Sequence, residues 1–316
     1  VIERALADPE LTDWDGFGVV VQAYGKRAHY VIDWLHALSK RLDRRIMGRL
    51  VKGAYWDTEI KRAQTLGLAG YPVFTRKANT DVSYIACAKK LLGMTDRIYP
   101  QFATHNAHTV AAILAMAEDK SAFEFQRLHG MGEALHEAVR ASEGTRCRIY
   151  APVGSHSDLL AYLVRRLLEN GANSSFVHQI VDEEVSAEII ARDPFDVVEN
   201  QGSAHNPLIP FPSEIFLPAR SNSIGHDLND TIALSDIQGG RGQFSGENLR
   251  TAGAAGKERP IVNPAKPDDI VGTVREADAG AVNAAVGRAV GAFTAWAATP
   301  VGERAATLLR AADLYE

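Results

Sequence analysis

Between Gly16 and about Gly171, short runs rich in β-branched and aromatic residues alternate with longer stretches whose apolar positions recur three or four apart. Runs of the first kind suit buried strands, and stretches of the second suit amphipathic helices. The strand runs are Phe17 to Tyr24, Ile46 to Lys52, Tyr99 to His105, Phe123 to His129 and Cys147 to Val153. Helix candidates are His29 to Leu42, Val82 to Leu92, Thr109 to Ala117, Met131 to Ala141 and Ser157 to Gly171. This alternation predicts an α/β protein with a parallel sheet and crossover helices. Nearly every strand run ends in polar or small residues: Gln22, then Lys52 and Gly53, then Thr104, His105 and Asn106, then His129 and Gly130. A (β/α)₈ barrel builds its active site from loops at those ends. A doubly wound sheet binds ligands at the same ends, so periodicity leaves both open. No Gly-x-Gly-x-x-Gly follows a strand, which weighs against a dinucleotide fold.

Past Gly171 the pattern breaks. Four prolines between Asn206 and Pro218 rule out regular helix or central strand there, because proline fixes φ and lacks a donor, and they mark the edge of a first domain. The glycines from Gly239 to Gly256 read as a flexible connection. From Ile261 a new module begins, with an apolar stretch Ile270 to Val274 and an alanine-rich helix from about Ala279 to Trp296. Its last residues, Leu308 to Glu316, stop inside a helical pattern, and the first residue is Val1, so the sequence reads as a piece of a longer chain.

A 316-residue chain that is 46% hydrophobic and 23% charged has the composition of a globular protein with about two domains. Val1 to Gly16 lacks a signal-peptide pattern and no apolar run approaches the roughly 18 residues of a membrane span, so a cytoplasmic protein is expected. A net charge of -5 with scattered basic residues predicts small-molecule ligands and no nucleic-acid partner. Cys87 and Cys147 lack the pairing or density of a disulfide scaffold and read as inert thiols.

Two segments are candidates for chemistry. On a helix from Ser157 to Gly171, Leu160, Leu163, Val164, Leu167 and Leu168 share one face, while Tyr162, Arg165, Arg166 and Glu169 share the other. Two guanidinium forks beside an aromatic ring suit a small carboxylate; the alternative is a solvated face with a helical Arg165–Glu169 pair. At the end of the second strand run, Arg49, Lys52 and Gly53 suit a phosphate or the edge of a planar cofactor, with Tyr55 and Trp56 to pack on a heterocycle. A glycine turn with surface cations is the plainer alternative. His105 and His108 lack a third ligand of suitable spacing, so no metal is expected, and no Gly-x-Ser-x-Gly elbow points to hydrolysis.

Seven blocks carry a more specific signal: VVVQAY (19 to 24), RLVKGAYWDTEIKRAQ (49 to 64), YPVFTRK (71 to 77), YPQFATHNAHT (99 to 109), FQRLHGMGE (125 to 133), RIYAPVG (148 to 154) and AYLVRRLLENGANSSFV (161 to 177). In this order they resemble the proline dehydrogenase domain of the proline utilization A family of bifunctional bacterial flavoenzymes. NPAKPDDIVGTV (263 to 274) and the helix ending at Trp296 resemble the N-terminal edge of an aldehyde dehydrogenase, the family's second enzyme. The resemblance implies an incomplete TIM-like barrel, its last five strands, over residues 1 to 215, then a linker over 216 to 260 and a truncated aldehyde dehydrogenase edge over 261 to 316.

By that resemblance the longer protein oxidises L-proline to Δ1-pyrroline-5-carboxylate with FAD and goes on to make glutamate with NAD. Arg165 and Arg166 would clamp the proline carboxylate, with Tyr150, Tyr162 and Leu128 enclosing the ring. Arg49 would stand beside the flavin's hydride-accepting nitrogen. Gln22, Lys52, Gly53, Ala54, Trp56, Thr75, Lys77, Thr104, His105, Asn106 and Glu169 would surround the cofactor. The resemblance further implies quinone as electron acceptor, peripheral contact with the inner membrane face, and self-association of the longer protein. The family's substrate lysine, its flavin-side aspartate, and the catalytic cysteine and NAD-binding half of the aldehyde dehydrogenase fall outside this sequence. A second reading is therefore a non-catalytic fragment serving as scaffold.

Overall fold

The computed structural model describes residues 1–12, 14–171, 186–241 and 256–315, the side chains of 165–171, 187, 190 and 241 excepted. These residues fall into two compact units, Val1–Thr65 with Ala69–Leu217, and Leu66–Leu68 with Pro218–Glu316.

The first unit is built on five strands, β1 Gly18–Gln22, β2 Ile46–Val51, β3 Ile98–Ala103, β4 Glu124–Leu128 and β5 Arg146–Tyr150. They pair in the order β1-β2-β3-β4-β5, every pair parallel. Parallel neighbours in chain order need a crossover each. The crossovers carry α2 Ala28–Arg41, α3 Trp56–Thr65 and α4 Lys77–Leu92 between the first three strands, then α5 Ala107–Met116 and α6 Glu133–Glu143. A short α1, Ile2–Leu6, precedes the sheet and α7, His156–Gly171, follows it. This is the α/β, barrel-like arrangement expected, and each strand lies within three residues of its predicted bounds.

Side chains alternate along each strand, and that alternation separates two environments. Val21, Ile46, Leu50, Ile98, Phe102, Phe123 and Phe125 meet Ile32, Leu35 and Leu38 of α2, Tyr84, Cys87, Ala88 and Leu91 of α4, and Val110 and Ile113 of α5 in one continuous core. The other sheet face carries Gln22, Arg49, Gln101, Glu124, Gln126, Leu128, Arg148 and Tyr150, as strand parity and register require. Apolar packing therefore occupies the helix side and polar chemistry the opposite side.

Three expectations need correction. Trp56–Thr65 is a helix that apolar periodicity does not reveal: it buries Ile60 and Ala63 and past Trp56 is otherwise polar, with Asp57 and Glu59 favourably placed in its first turn. Of the apolar face predicted for α7, Leu160, Leu163 and Val164 are exposed here, and the side chains of Leu167 and Leu168 lie outside the described residues. Gly239 and Gly240 belong to a helix, Thr231–Arg241, not to a flexible connection; the rest of that predicted connection, 242–255, lies outside the described residues.

The second unit contains an antiparallel pair, β6 Glu258–Asn263 and β7 Lys266–Arg275. It is followed by helices Ala279–Ala298 and Val301–Tyr315, the first capped by Asp278, whose carboxylate accepts from Ala281 N at 2.7 Å. No helix among the described residues is long and apolar enough to cross a membrane.

Candidate active site at the strand ends

Arg49 lies near the C-terminal end of β2 on the polar sheet face. Its Nε donates to Gln126 Oε1 at 2.7 Å, and its guanidinium carbon lies 4.7 Å from the centre of the Tyr150 ring. Cation and ring are thereby held together across three strands. Gln126 in turn donates from Nε2 to Glu124 Oε1 at 2.9 Å. Glu124, almost inaccessible, also accepts from Gln101 Nε2 at 2.8 Å, from Arg148 Nε at 2.7 Å and Nη2 at 3.0 Å, and from the Tyr99 hydroxyl at 3.4 Å. Burial by itself raises the Glu124 pKa, but Arg148 and the two glutamine amides outweigh it and hold the carboxyl below its ordinary value. A buried carboxylate is stable here because its lone pairs are filled.

A second charged group sits where β2 gives way to α3. Lys52 and Lys77 both reach the Asp81 carboxylate, Lys77 at 2.9 Å. Burial lowers the Lys52 pKa, with Asp81 opposing the shift. Burial raises and the two ammonium groups lower the Asp81 pKa; the ammonium groups prevail, so its carboxyl stays below the usual range. The trio keeps one net positive charge at the strand ends.

Next to it, Gly53 has φ +130°, and a Cβ built there would meet the Tyr24 ring at 2.5 Å. On the side where a Cβ would stand, the close approach to Gly53 is made by the Tyr24 ring. The Trp56 indole donates from Nε1 to Phe74 O at 2.8 Å, tying the start of α3 to segment 71–77. Phe74 N reaches Tyr24 O at 2.9 Å, and Lys26 N reaches Pro72 O at 3.0 Å, so this segment is pinned beside the end of β1. The buried Thr75 hydroxyl accepts from Asn206 N at 2.9 Å.

After β3, the Thr104 hydroxyl accepts from Asn106 N at 3.1 Å, and Asn106 Oδ1 caps α5 through Thr109 N at 2.9 Å. His105 Nε2 accepts from Leu128 N at 3.1 Å, linking the β3 and β4 ends and leaving the ring proton on Nδ1. His136 of α6 donates from Nε2 to Thr104 O at 2.9 Å. Gln22 closes β1 half-buried, Ala54 is exposed, Leu128 is buried and Tyr162 is half-buried. The side chains of Arg165, Arg166 and Glu169 lie outside the described residues, although α7 runs through all three.

The structure therefore joins Arg49 to Tyr150, Lys52 to Lys77, and His105 to Leu128, all at one end of the sheet. Sequence reasoning missed Gln126, Glu124, Gln101, Arg148, Asp81 and His136. A signal for the first two was present: Glu124 and Gln126 alternate with phenylalanines in a strand buried along its whole length, where a polar side chain needs a partner. Asp81, four residues after Lys77 on a helix, carried a local one.

Comparison with known proteins bears on this arrangement. Residues 1–179 match the family model described as proline dehydrogenase, and residues 251–316 that of the aldehyde dehydrogenase family. The bifunctional protein PutA of Klebsiella aerogenes is 50% identical over 336 aligned positions covering 100% of this chain and 26% of that protein. The bifunctional protein PutA of Escherichia coli (strain K12) shows the same 50% identity and the same coverage. A crystal structure of a mutant of Bradyrhizobium japonicum proline utilization A superposes with a TM-score of 0.80 at 50% identity, over 99% of this chain and 29% of that one. The chain thus spans about a quarter of the length of these curated relatives.

Proposed function

The chain belongs to the proline dehydrogenase family, and from that premise we propose that residues 1–215 form the C-terminal part of an FAD-dependent barrel that oxidises L-proline to Δ1-pyrroline-5-carboxylate. The observation that carries this reading is Arg49, fixed by Gln126 and faced by Tyr150 on the polar side of the strand ends. The donor set suits a flavin dinucleotide: a fixed guanidinium for an electron-rich ring, and a Lys52–Lys77 pair with net positive charge for a diphosphate. Thr104, His105, Asn106, Thr75, Gln22, Gly53, Ala54, Trp56 and Glu169 complete the proposed surround. Thr75 and Asn106 do so with side chains that already serve the protein's own backbone.

A bound flavin would supply a two-electron oxidant for a hydride from the ring carbon that neighbours nitrogen and does not bear the carboxylate, with a proton lost from that nitrogen. The protein's own residues bind and orient. Arg165 and Arg166 hold the carboxylate with fork geometry, and Tyr150, Tyr162 and Leu128 enclose the apolar ring. Arg49 places fixed positive charge where negative charge accumulates, without reorganising at the moment of transfer. Residues 216–260 then serve as linker and 261–316 as the edge of an NAD-dependent aldehyde dehydrogenase. Quinone as acceptor, the cytoplasmic face of the inner membrane as location, and self-association belong to the same proposal.

The test uses the longer protein. Proline added anaerobically should bleach the yellow flavin absorbance. Arg165→Met should raise KM for proline by about 30-fold or more, the smaller end of what losing one partner of a buried charge pair costs, while flavin stays bound. An unchanged KM contradicts the carboxylate clamp.

A further inference from the structure

We infer that Glu124 and Gln126 are positioning residues for the proposed flavin-side Arg49, a relay in which a carboxylate on β4 dictates the orientation of an amide that in turn fixes the guanidinium. The inference rests on the reading of Arg49 given above.

Hydrogen-bond chemistry makes the relay directional. An ionised carboxylate only accepts and a guanidinium only donates, whereas a primary amide does one at each end. Gln126 stands between Glu124 and Arg49, with Nε2 at 2.9 Å from Glu124 Oε1 and Oε1 at 2.7 Å from Arg49 Nε. The reverse orientation would set carbonyl oxygen against carboxylate and amide protons against guanidinium protons. Glu124 therefore selects the one orientation of Gln126 that can receive Arg49. Glu124 is itself fixed from both sides, by Gln101 and Tyr99 on β3 and by two bonds from Arg148 on β5. Because Glu124 and Gln126 are buried, solvent does not easily supply a substitute partner. The Tyr150 ring, its centre 4.7 Å from the guanidinium carbon, is a second contact of Arg49.

The test uses the complete flavin-loaded protein, with Arg49→Met as reference and two readouts, the flavin reduction potential and the crystallographic position of Arg49. Gln126→Leu removes the acceptor of Arg49 but leaves the bonds of Glu124 to Gln101, Tyr99 and Arg148. Glu124→Leu keeps approximate size but removes every acceptor for Gln126, which frees its amide to turn. Both variants should lower the potential in the same direction as Arg49→Met and slow flavin reduction by proline roughly 10- to 100-fold, the scale on which a misplaced group acts. KM for proline should change little. In the crystal, Arg49 should leave its place over Tyr150. The double variant Glu124→Gln with Gln126→Glu again offers Arg49 an acceptor and should move potential and rate back toward wild type.

Flavin content and far-ultraviolet circular dichroism establish that each variant is folded, and Gln126→Leu decides the matter if Glu124→Leu does not fold. A potential unaltered in Gln126→Leu, where Arg49→Met shifts it, overturns the relay. So does a Gln126→Leu crystal structure with Arg49 in place. If Arg49→Met itself leaves the potential unaltered, the flavin role of Arg49 fails instead, and the crystallographic position alone decides the relay.

Discussion

His136 is buried, and because Thr104 O can only accept, its Nε2 carries the proton at 2.9 Å. Burial lowers the His136 pKa below the ordinary 6.5, with the Thr104 carbonyl opposing the shift and Arg127 adding to it. The unfolded chain therefore binds a proton at His136 before the folded chain does, so folding favours the neutral form. This contribution to stability is complete above about pH 6.5 and is lost as pH falls from there towards the lower folded-state pKa, at no more than about 1.4 kcal/mol per pH unit. His136→Gln keeps a donor and removes the titration. Urea midpoints of the longer protein at about pH 7.5 and about pH 5.5 should fall further in wild type than in this variant; equal falls would show that His136 does not titrate on unfolding. Nothing in the sequence around His136 announced this, because its acceptor, Thr104 O, lies 32 positions away in the chain. Arg49 and Lys52 were legible for the opposite reason: cations beside glycine at a strand end are unusual locally. Glu124 and Gln126 alternate with phenylalanines, but their partners Gln101, Arg148 and Arg49 stand on other strands, out of reach of a local pattern.

Among the elements, the strands were easiest to read, since a parallel sheet covered by helices concentrates β-branched and aromatic residues in short runs. Helix α3 escaped because it buries only Ile60 and Ala63, too few to set a helical period. Helix α4 shows how an element joins packing to site. The fully buried Tyr84 donates its hydroxyl to both Leu50 O and Ala103 O, at 3.3 Å each, bridging the ends of β2 and β3 directly behind the polar face. Burial pushes its phenol pKa far above the ordinary value, so it remains a donor at any working pH. Tyr84→Phe leaves the ring in the core and two strand-end carbonyls short of a donor, which should cost about 1–3 kcal/mol. Denaturant titration checks this, and a loss below about 0.5 kcal/mol would indicate that the bridge is replaced by other partners.

For the molecule as a whole, five parallel strands in chain order place apolar residues toward the helices and guanidinium, amide and carboxylate groups on the other face. Charged and amide groups sit there because each finds a partner on that face: Gln101 and Arg148 meet Glu124 from the strands on either side, Gln126 meets it along β4, and Arg49 of β2 reaches Gln126. The parallel sheet was legible from periodicity; the barrel-like reading came from long matching blocks, since a doubly wound sheet has the same local pattern. The most direct measurement is a crystal structure of the longer protein with flavin and a proline analogue that cannot be oxidised. The prediction is a flavin ring against Arg49 with the analogue's carboxylate held by Arg165 and Arg166. A flavin bound away from Arg49, or a carboxylate contacted by neither arginine, would contradict it.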